Sequence, residues 1–306
     1  MKRRTAILLS IALIGYSISS CVKLKVDKLS DRDYGRKMQN EHHVYALVLP
    51  KKLNLAGEPI PMDNPDVYER MDQAFLTYTY LYKSVIRIIK KANKYFPAIE
   101  ATLSAHGVPN DFKYLAVAES DLDPVAVSHS DAKGMWQFMK NTAEEYGMEI
   151  TETVDERYNM ELETEAFCRY ILRAKKELGS WALAAASYNA GIGYIKERLE
   201  RQDVHNFYDM YCNKAETMQY VFHIVAIKYI MEDPERYGFR LREKDKYKTV
   251  PIQEFKVDYP IDDLAKWAKQ RGSNYKLLKL YNPWLLGYKL EHKNKKTYYI
   301  KIPRQV

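Results

Sequence analysis

Glu119 stands where an apolar residue belongs. Residues 111–120 read as a short helix in which Phe112, Leu115, Ala116 and Glu119 fall at i, i+3, i+4 and i+7, and so share one face. Three of these side chains call for burial; the fourth is a carboxylic acid. Burial disfavours the charged form of a carboxyl and raises its pKa. A Glu that keeps its proton near neutral pH is suited to general acid catalysis. The alternative is a drifting stripe that leaves Glu119 in water.

Three further blocks follow Glu119-Ser120. They are Gly134-Met135-Trp136-Gln137-Phe138, Ala186-Ser187-Tyr188-Asn189-Ala190-Gly191 and Glu216-Thr217-Met218-Gln219-Tyr220-Val221. Glu216 and Tyr220 lie at i and i+4, the spacing of neighbours on one helix face. Asp121, Asp123 and Asp131 cluster after Glu119 and offer a second carboxylate. His129, His205 and His223 have no metal-ligand spacing with cysteines or with one another. The sequence has no glycine-rich phosphate loop and no defensible Ser-His-Asp or Cys-His arrangement. Nothing in it calls for a metal or an organic cofactor.

Taken in order, the four blocks resemble the lytic transglycosylases of the goose-type-lysozyme-like superfamily, most of all the membrane-bound lytic murein transglycosylase D group. The likeness runs from about residue 96 to residue 238 and, more loosely, over the C-terminal end. It implies a lysozyme-like helical catalytic domain acting on peptidoglycan glycan strands. The reaction implied is cleavage of the β-1,4 bond between N-acetylmuramic acid and N-acetylglucosamine to leave 1,6-anhydromuramic ends. The acid, and then the base, of that reaction falls on Glu119. The substrate-binding set implied is Ser120, Met135, Gln137, Tyr188, Asn189, Glu216 and Tyr220. Ser120 orients substrate, and the Gln137 amide both donates to and accepts from a sugar. Tyr188 matches the tyrosine whose hydroxyl the family places against the catalytic Glu. Asn189 bonds sugar or caps its helix, and Glu216 holds the cleft electrostatically or caps a helix start. Ser187 stands where the family usually has alanine. Two other outcomes stay open: a lysozyme-like hydrolase using Glu119 with water, and a non-catalytic peptidoglycan-binding lipoprotein.

A length of 306 residues suits one large domain or two smaller ones, and 46% apolar content suits a packed core. The net charge of +8 favours an anionic surface or polymer but is too small and scattered to argue for nucleic acid. The 26 tyrosines suit grooves lined for sugars, each giving apolar area and a polar handle, although core packing accounts for most of them. At the N-terminus, Lys2-Arg3-Arg4 precede an apolar stretch over 5–18 that is short for a membrane span. Ile18-Ser19-Ser20-Cys21 resembles a bacterial lipobox, which implies cleavage before Cys21 and lipid attachment there. The alternative is an ordinary secretory peptide with an incidental cysteine. Val22, rather than aspartate, resembles the pattern for outer-membrane delivery, facing the periplasm. The lipid would be the only anchor, because no other run is apolar enough to span a bilayer. Cys168 and Cys212 either pair or stay reduced; Cys168, beside Phe167 in a helical stretch, suits a small buried hydrophobe. Protein partners have no signature.

The elements that must position these residues are mainly α. Residues 22–63 are polar, carry Pro50, Pro59 and Pro61, lack periodicity, and read as a tether with a short extended piece at 44–49. A helical domain spans 64–240. A long helix is expected over 65–95, a second over 97–106 closed by Gly107, and then the Glu119 helix. Thr142 and Glu145 have capping-box spacing ahead of Gly147. Helices follow over 160–178, over 181–188 with Ser180 as N-cap, and over 215–231 as a central helix apolar on most sides. Residues 245–306 form a small α+β module of order β-α-α-β, with Phe255, Val257 and Tyr259 alternating in one strand and Tyr298, Ile300 and Ile302 in the other. This order resembles a degenerate LysM, a module that binds the N-acetylglucosamine backbone. A structural appendage is the other reading.

Overall fold

The computed structural model describes residues 29–33, 36, 46–292 and 295–304; the leader and Cys21 lie outside them. A hairpin opens the body, β1 (Asn54–Leu55) pairing with β2 (Glu58–Pro59). Its turn residues Ala56 and Gly57 both have positive φ, as a two-residue type I′ turn requires. Then come α1 (Pro65–Tyr80), α2 (Tyr82–Ala105), α3 (Lys113–Ser120), α4 (Lys140–Glu145), α5 (Met160–Leu178), α6 (Trp181–Ala190), α7 (Ile192–Gln202) and α8 (Ala215–Glu232). Local signals set most ends. Asn64 caps α1 with Pro65 in the first turn, and Ser180 accepts the Leu183 N–H at the start of α6. Gly179 ends α5 in the left-handed region.

The expected long helix over 65–95 is instead two. The chain turns at Leu81, and α2 continues through Pro97, where a new helix was expected. The turn lets α1 pack on α8 while α2 packs on α5. Ile99 and Leu103, beyond the proline, are fully buried, and their packing carries the helix past one missing N–H bond. The capping box at Thr142 does not form. The short helix starts earlier, at Lys140, with Met139 before it, and ends near Gly147 as expected. The central helix is α8, whose Val221, Ile224 and Val225 have no exposed surface. Leu183 of α6 is buried as well, and so are Ala182, Ala184, Ala185 and Ala186, small side chains that bring α6 close to α5 and α8.

The expected tether is docked from Leu49 onward. Leu49, Leu53, Leu55 and Ile60 are buried in the helical core. Asp111 accepts hydrogen bonds from the Ala56 N–H (2.6 Å) and from Lys228 Nζ (2.7 Å), joining the hairpin to α8 and to the turn that leads into α3. Glu58 reaches the N-terminus of α6, where it accepts from the Trp181 N–H (2.7 and 2.8 Å), the Ala182 N–H (3.1 Å) and Lys175 Nζ (2.8 Å). A carboxylate there meets unpaired N–H groups and the positive end of the helix dipole. The segment looks like a tether in sequence because its apolar residues follow a hairpin and loop, with no helical period to reveal them.

The C-terminal module has the expected order. β3 (Ile252–Val257) pairs antiparallel with β4 (Tyr298–Pro303), Phe255 opposite Ile300, and α9 (Leu264–Lys269) and α10 (Tyr275–Tyr281) lie between them in sequence. Its core holds Val257, Leu264, Trp267, Leu278 and Ile300, together with Val154 from the helical domain. That junction is strand-like: the Asp155 N–H donates to the Trp284 carbonyl (2.9 Å) and the Leu286 N–H to the Thr153 carbonyl (2.8 Å). Tyr298 Oη donates to Glu149 (2.9 Å), and Lys296 and Lys301 pair with Glu156 and Glu161.

Candidate active site

α3 is a two-turn helix whose Phe112-led face is buried: Phe112, Leu115 and Ala116 have no exposed surface. Glu119 lies on the same face in the last turn, and Asp121 ends the helix in the left-handed region (φ 52°). Burial lifts the Glu119 carboxyl from 4.5 to about 7; the Glu216 charge adds to the rise, and a hydrogen bond from Tyr220 opposes it. Tyr220 Oη donates to Glu119 Oε1. Burial, with the nearby Glu119 charge, keeps the phenols of Tyr220 and Tyr188 far above the ordinary tyrosine value. The acid is thus held by a neutral donor.

Beside Glu119 runs the 134–137 loop. Gly134 has φ 85°, and a Cβ there would come within 1.7 Å of the Arg157 carbonyl and 2.1 Å of Glu163 Oε1, so no side chain fits. The Met135 N–H donates to Glu163 Oε2 (3.0 Å) and the Trp136 N–H to Glu163 Oε1 (3.3 Å). On their other sides, Ser120 Oγ donates to the Met135 carbonyl (2.7 Å) and Tyr188 Oη to the Trp136 carbonyl (2.7 Å). Trp136 stacks on Phe167 at 3.9 Å, and its indole N–H donates to Thr164.

The structure therefore redistributes several expected roles. Tyr220 occupies the place against Glu119 expected for Tyr188. Tyr188 is close enough to feel the Glu119 charge, but its hydroxyl is spent on the Trp136 backbone. Ser120 braces the loop through backbone contacts to Ala116, Met135 and Asp123. Met135 is fully buried, its side chain in the core, and so has no surface to offer a sugar. Glu216 is exposed in the first turn of α8 and acts on Glu119 through its charge. Gln137, Tyr188 and Asn189 do line an open cleft of 420 Å³, together with Tyr146, Arg173 and Gly191. Glu119 is not on its wall; Tyr188 connects the two. The Gln137 Nε2 is engaged with the Gly134 carbonyl (2.7 Å), and Asn189 Oδ1 accepts from Thr217 (2.5 Å), leaving its NH₂ for a ligand. Gly191, not Asn189, caps α6.

Each aspartate offered as a second carboxylate has a partner of its own. Asp121 pairs with Arg87 (2.8 Å), Asp123 accepts the Val125 N–H (3.1 Å), and Asp131 lies by Lys133 (3.4 Å). Ser187 is buried, with its hydroxyl donating to the Ala184 carbonyl (2.7 Å), which explains why it replaces alanine without disturbing α6. Cys168 and Cys212 are free and buried. Among the described residues no group of three or more His, Cys, Asp or Glu is placed to hold a metal ion.

Glu163 went unnoticed in the sequence, although the rule that singles out Glu119 applies to it. Glu163, Phe167, Tyr170 and Ala174 lie along one face of α5, and Glu163 has no exposed surface. Burial pushes its carboxyl well above the usual range, against the two backbone N–H bonds.

This arrangement, a half-buried Glu with a raised pKa at a helix end beside a gripped loop and a tyrosine-lined cleft, coincides with two family matches. Residues 96–210 match the transglycosylase SLT domain, and residues 253–306 match the soluble lytic transglycosylase C-terminal LysM-like domain. The chain therefore carries a transglycosylase SLT domain followed by a LysM-like domain. It is homologous to Membrane-bound lytic murein transglycosylase D of Escherichia coli (strain K12), with 26% identity over 239 residues, 76% of this chain and 51% of that protein. It is also similar to Membrane-bound lytic murein transglycosylase F of Desulfosudis oleivorans, 29% identical over 143 residues, 43% of this chain and 30% of that protein. The chain spans about half the length of the D relatives it matches. Among solved structures, the 70 kDa soluble lytic transglycosylase of Escherichia coli matches with a TM-score of 0.41 at 13% identity, covering 79% of this chain and 47% of that one. An inactive mutant of lytic transglycosylase Slt from Pseudomonas aeruginosa matches at 0.37 with 20% identity, covering 59% and 33%.

Proposed function

We propose that this protein is a peptidoglycan lytic transglycosylase of the cell envelope, tethered by a lipid on Cys21 to the outer membrane and facing the periplasm. The observation that carries the reading is Glu119, a half-buried carboxyl raised to about 7 and held by Tyr220. A single acid that both gives and takes a proton needs a pKa near working pH. Protonated Glu119 gives its proton to the glycosidic oxygen as the bond from the muramyl C1 breaks. The substrate's own N-acetyl group stabilises the positive C1. Ionised Glu119 then takes the proton of the muramyl C6 hydroxyl, whose oxygen bonds C1 and closes the 1,6-anhydro ring. Attack within the sugar gains over attack by water through proximity. The cleft at Gln137, Tyr188 and Asn189 offers the Asn189 amide NH₂, the Gln137 carbonyl oxygen and the Tyr188 ring to neighbouring sugars.

Mass spectrometry of muropeptides released from purified sacculi, with Glu119→Gln beside the wild type, tests the reading. Anhydro-muropeptides from the wild type alone are expected. Reducing-end products would make the protein a hydrolase, and no products from either would favour a wall-binding role.

A further inference from the structure

We propose that Glu163 is a positioning residue for the Glu119 site: its carboxyl group, bound to the Met135 and Trp136 N–H groups, sets the loop that Ser120 and Tyr188 hold from the other side. Two consecutive residues, Met135 and Trp136, are each held at both the N–H and the carbonyl. Glu163 accepts from both N–H groups; the carbonyls accept from the residue after Glu119 and from the tyrosine that lines the cleft. Gly134 leaves room for this contact and no more. Gln137, next along the loop at φ 54°, borders the cleft, so the placement of its amide follows from that of the Met135 and Trp136 peptides. Glu163 is too deeply buried to meet substrate and acts through the loop. An apolar residue of equal size would fill its volume but leave two buried N–H groups without acceptors.

The kinetic part of the test rests on the transglycosylase reading; amide hydrogen exchange does not. Both are measured on the full chain for wild type, Glu163→Gln and Glu163→Met. Glu163→Gln keeps one acceptor oxygen, and its kcat should stay within about threefold of wild type. Glu163→Met should lower kcat by about tenfold or more with KM little changed, and speed exchange at the Met135 and Trp136 amides by a similar factor. Wild-type kcat with both amides still protected in Glu163→Met would overturn the proposal. Should Glu163→Met fail to fold, Glu163→Gln decides: exchange faster at one of the two amides supports the proposal, and unchanged protection at both overturns it. A wild type that releases no anhydro products would sink the transglycosylase reading, while exchange would still judge Glu163.

Discussion

At the residue scale, the chemistry depends on what burial does to one carboxyl. A Glu119 that titrates near 7 stays protonated at mildly acidic pH and ionises through neutrality, so the rate should follow its protonated fraction. The wild-type kcat/KM is expected to fall as pH rises above about 7. Tyr220→Phe removes the hydrogen bond that favours the ionised form, so the falling limb should move up by about one pH unit while kcat drops; pH–rate profiles check both. The same raised value has a stability cost whose sign is fixed. Below 4.5 Glu119 is protonated in folded and unfolded chains alike. Between 4.5 and about 7 only the unfolded chain ionises, so stability falls as pH rises; above about 7 the loss is complete. Glu119→Gln should therefore be more stable than wild type at pH 8 by up to about 3 kcal/mol, with the gap closing near pH 4 in denaturant titrations.

At the scale of elements, the site depends on helix ends held by residues far away in sequence. α6 carries Tyr188 and Asn189, and its first turn is capped by Glu58 from the hairpin. Glu58→Ala should lower stability by about 1–2 kcal/mol in thermal or denaturant unfolding. Lys228→Ala strands Asp111 between the hairpin and α3, a nearly buried pair whose rupture should cost about 3 kcal/mol and loosen the approach to Glu119. In both cases the rate of the proposed reaction should suffer less in kcat at low temperature than near the melting point, because the elements, not the acid, have been disturbed. The helices themselves are legible in the sequence. The 3.6-residue stripe of α5, with Gly179 to stop it and Ser180 to start α6, marks both helices from local chemistry alone. The break at Leu81 and the passage through Pro97 are not legible, because both follow from which neighbour each half of the run packs against.

At the scale of the whole molecule, the LysM-like module is built into the helical domain rather than hung from it. The 149–161 segment gives the module Val154 as core, strand-like bonds at Thr153 and Asp155, and ion pairs at Glu156 and Glu161. The same segment presses the Arg157 carbonyl close to Gly134, and Arg157 donates to the Asp131 carbonyl (3.2 Å). Truncation after residue 244 should therefore lower the melting temperature of what remains and open 149–161 to proteolysis. A melting curve and a limited digest against the full chain would show whether the module is a brace or a detachable appendage.

By itself, the sequence determined that the chain is mainly helical, that a β-α-α-β module closes it, and that Glu119 shares a helix face with Phe112, Leu115 and Ala116. These are consequences of local period and residue type, which act over a few turns of chain. Tertiary structure alone decided that Tyr220 rather than Tyr188 holds the acid, that Met135 is core, that Glu163 grips the loop, and that the hairpin after Leu49 caps α6. Each of those contacts joins residues separated by long stretches of chain. Which of two tyrosines reaches a carboxylate depends on helix packing to within an ångström or two, a quantity that spacing along one strand of sequence does not encode.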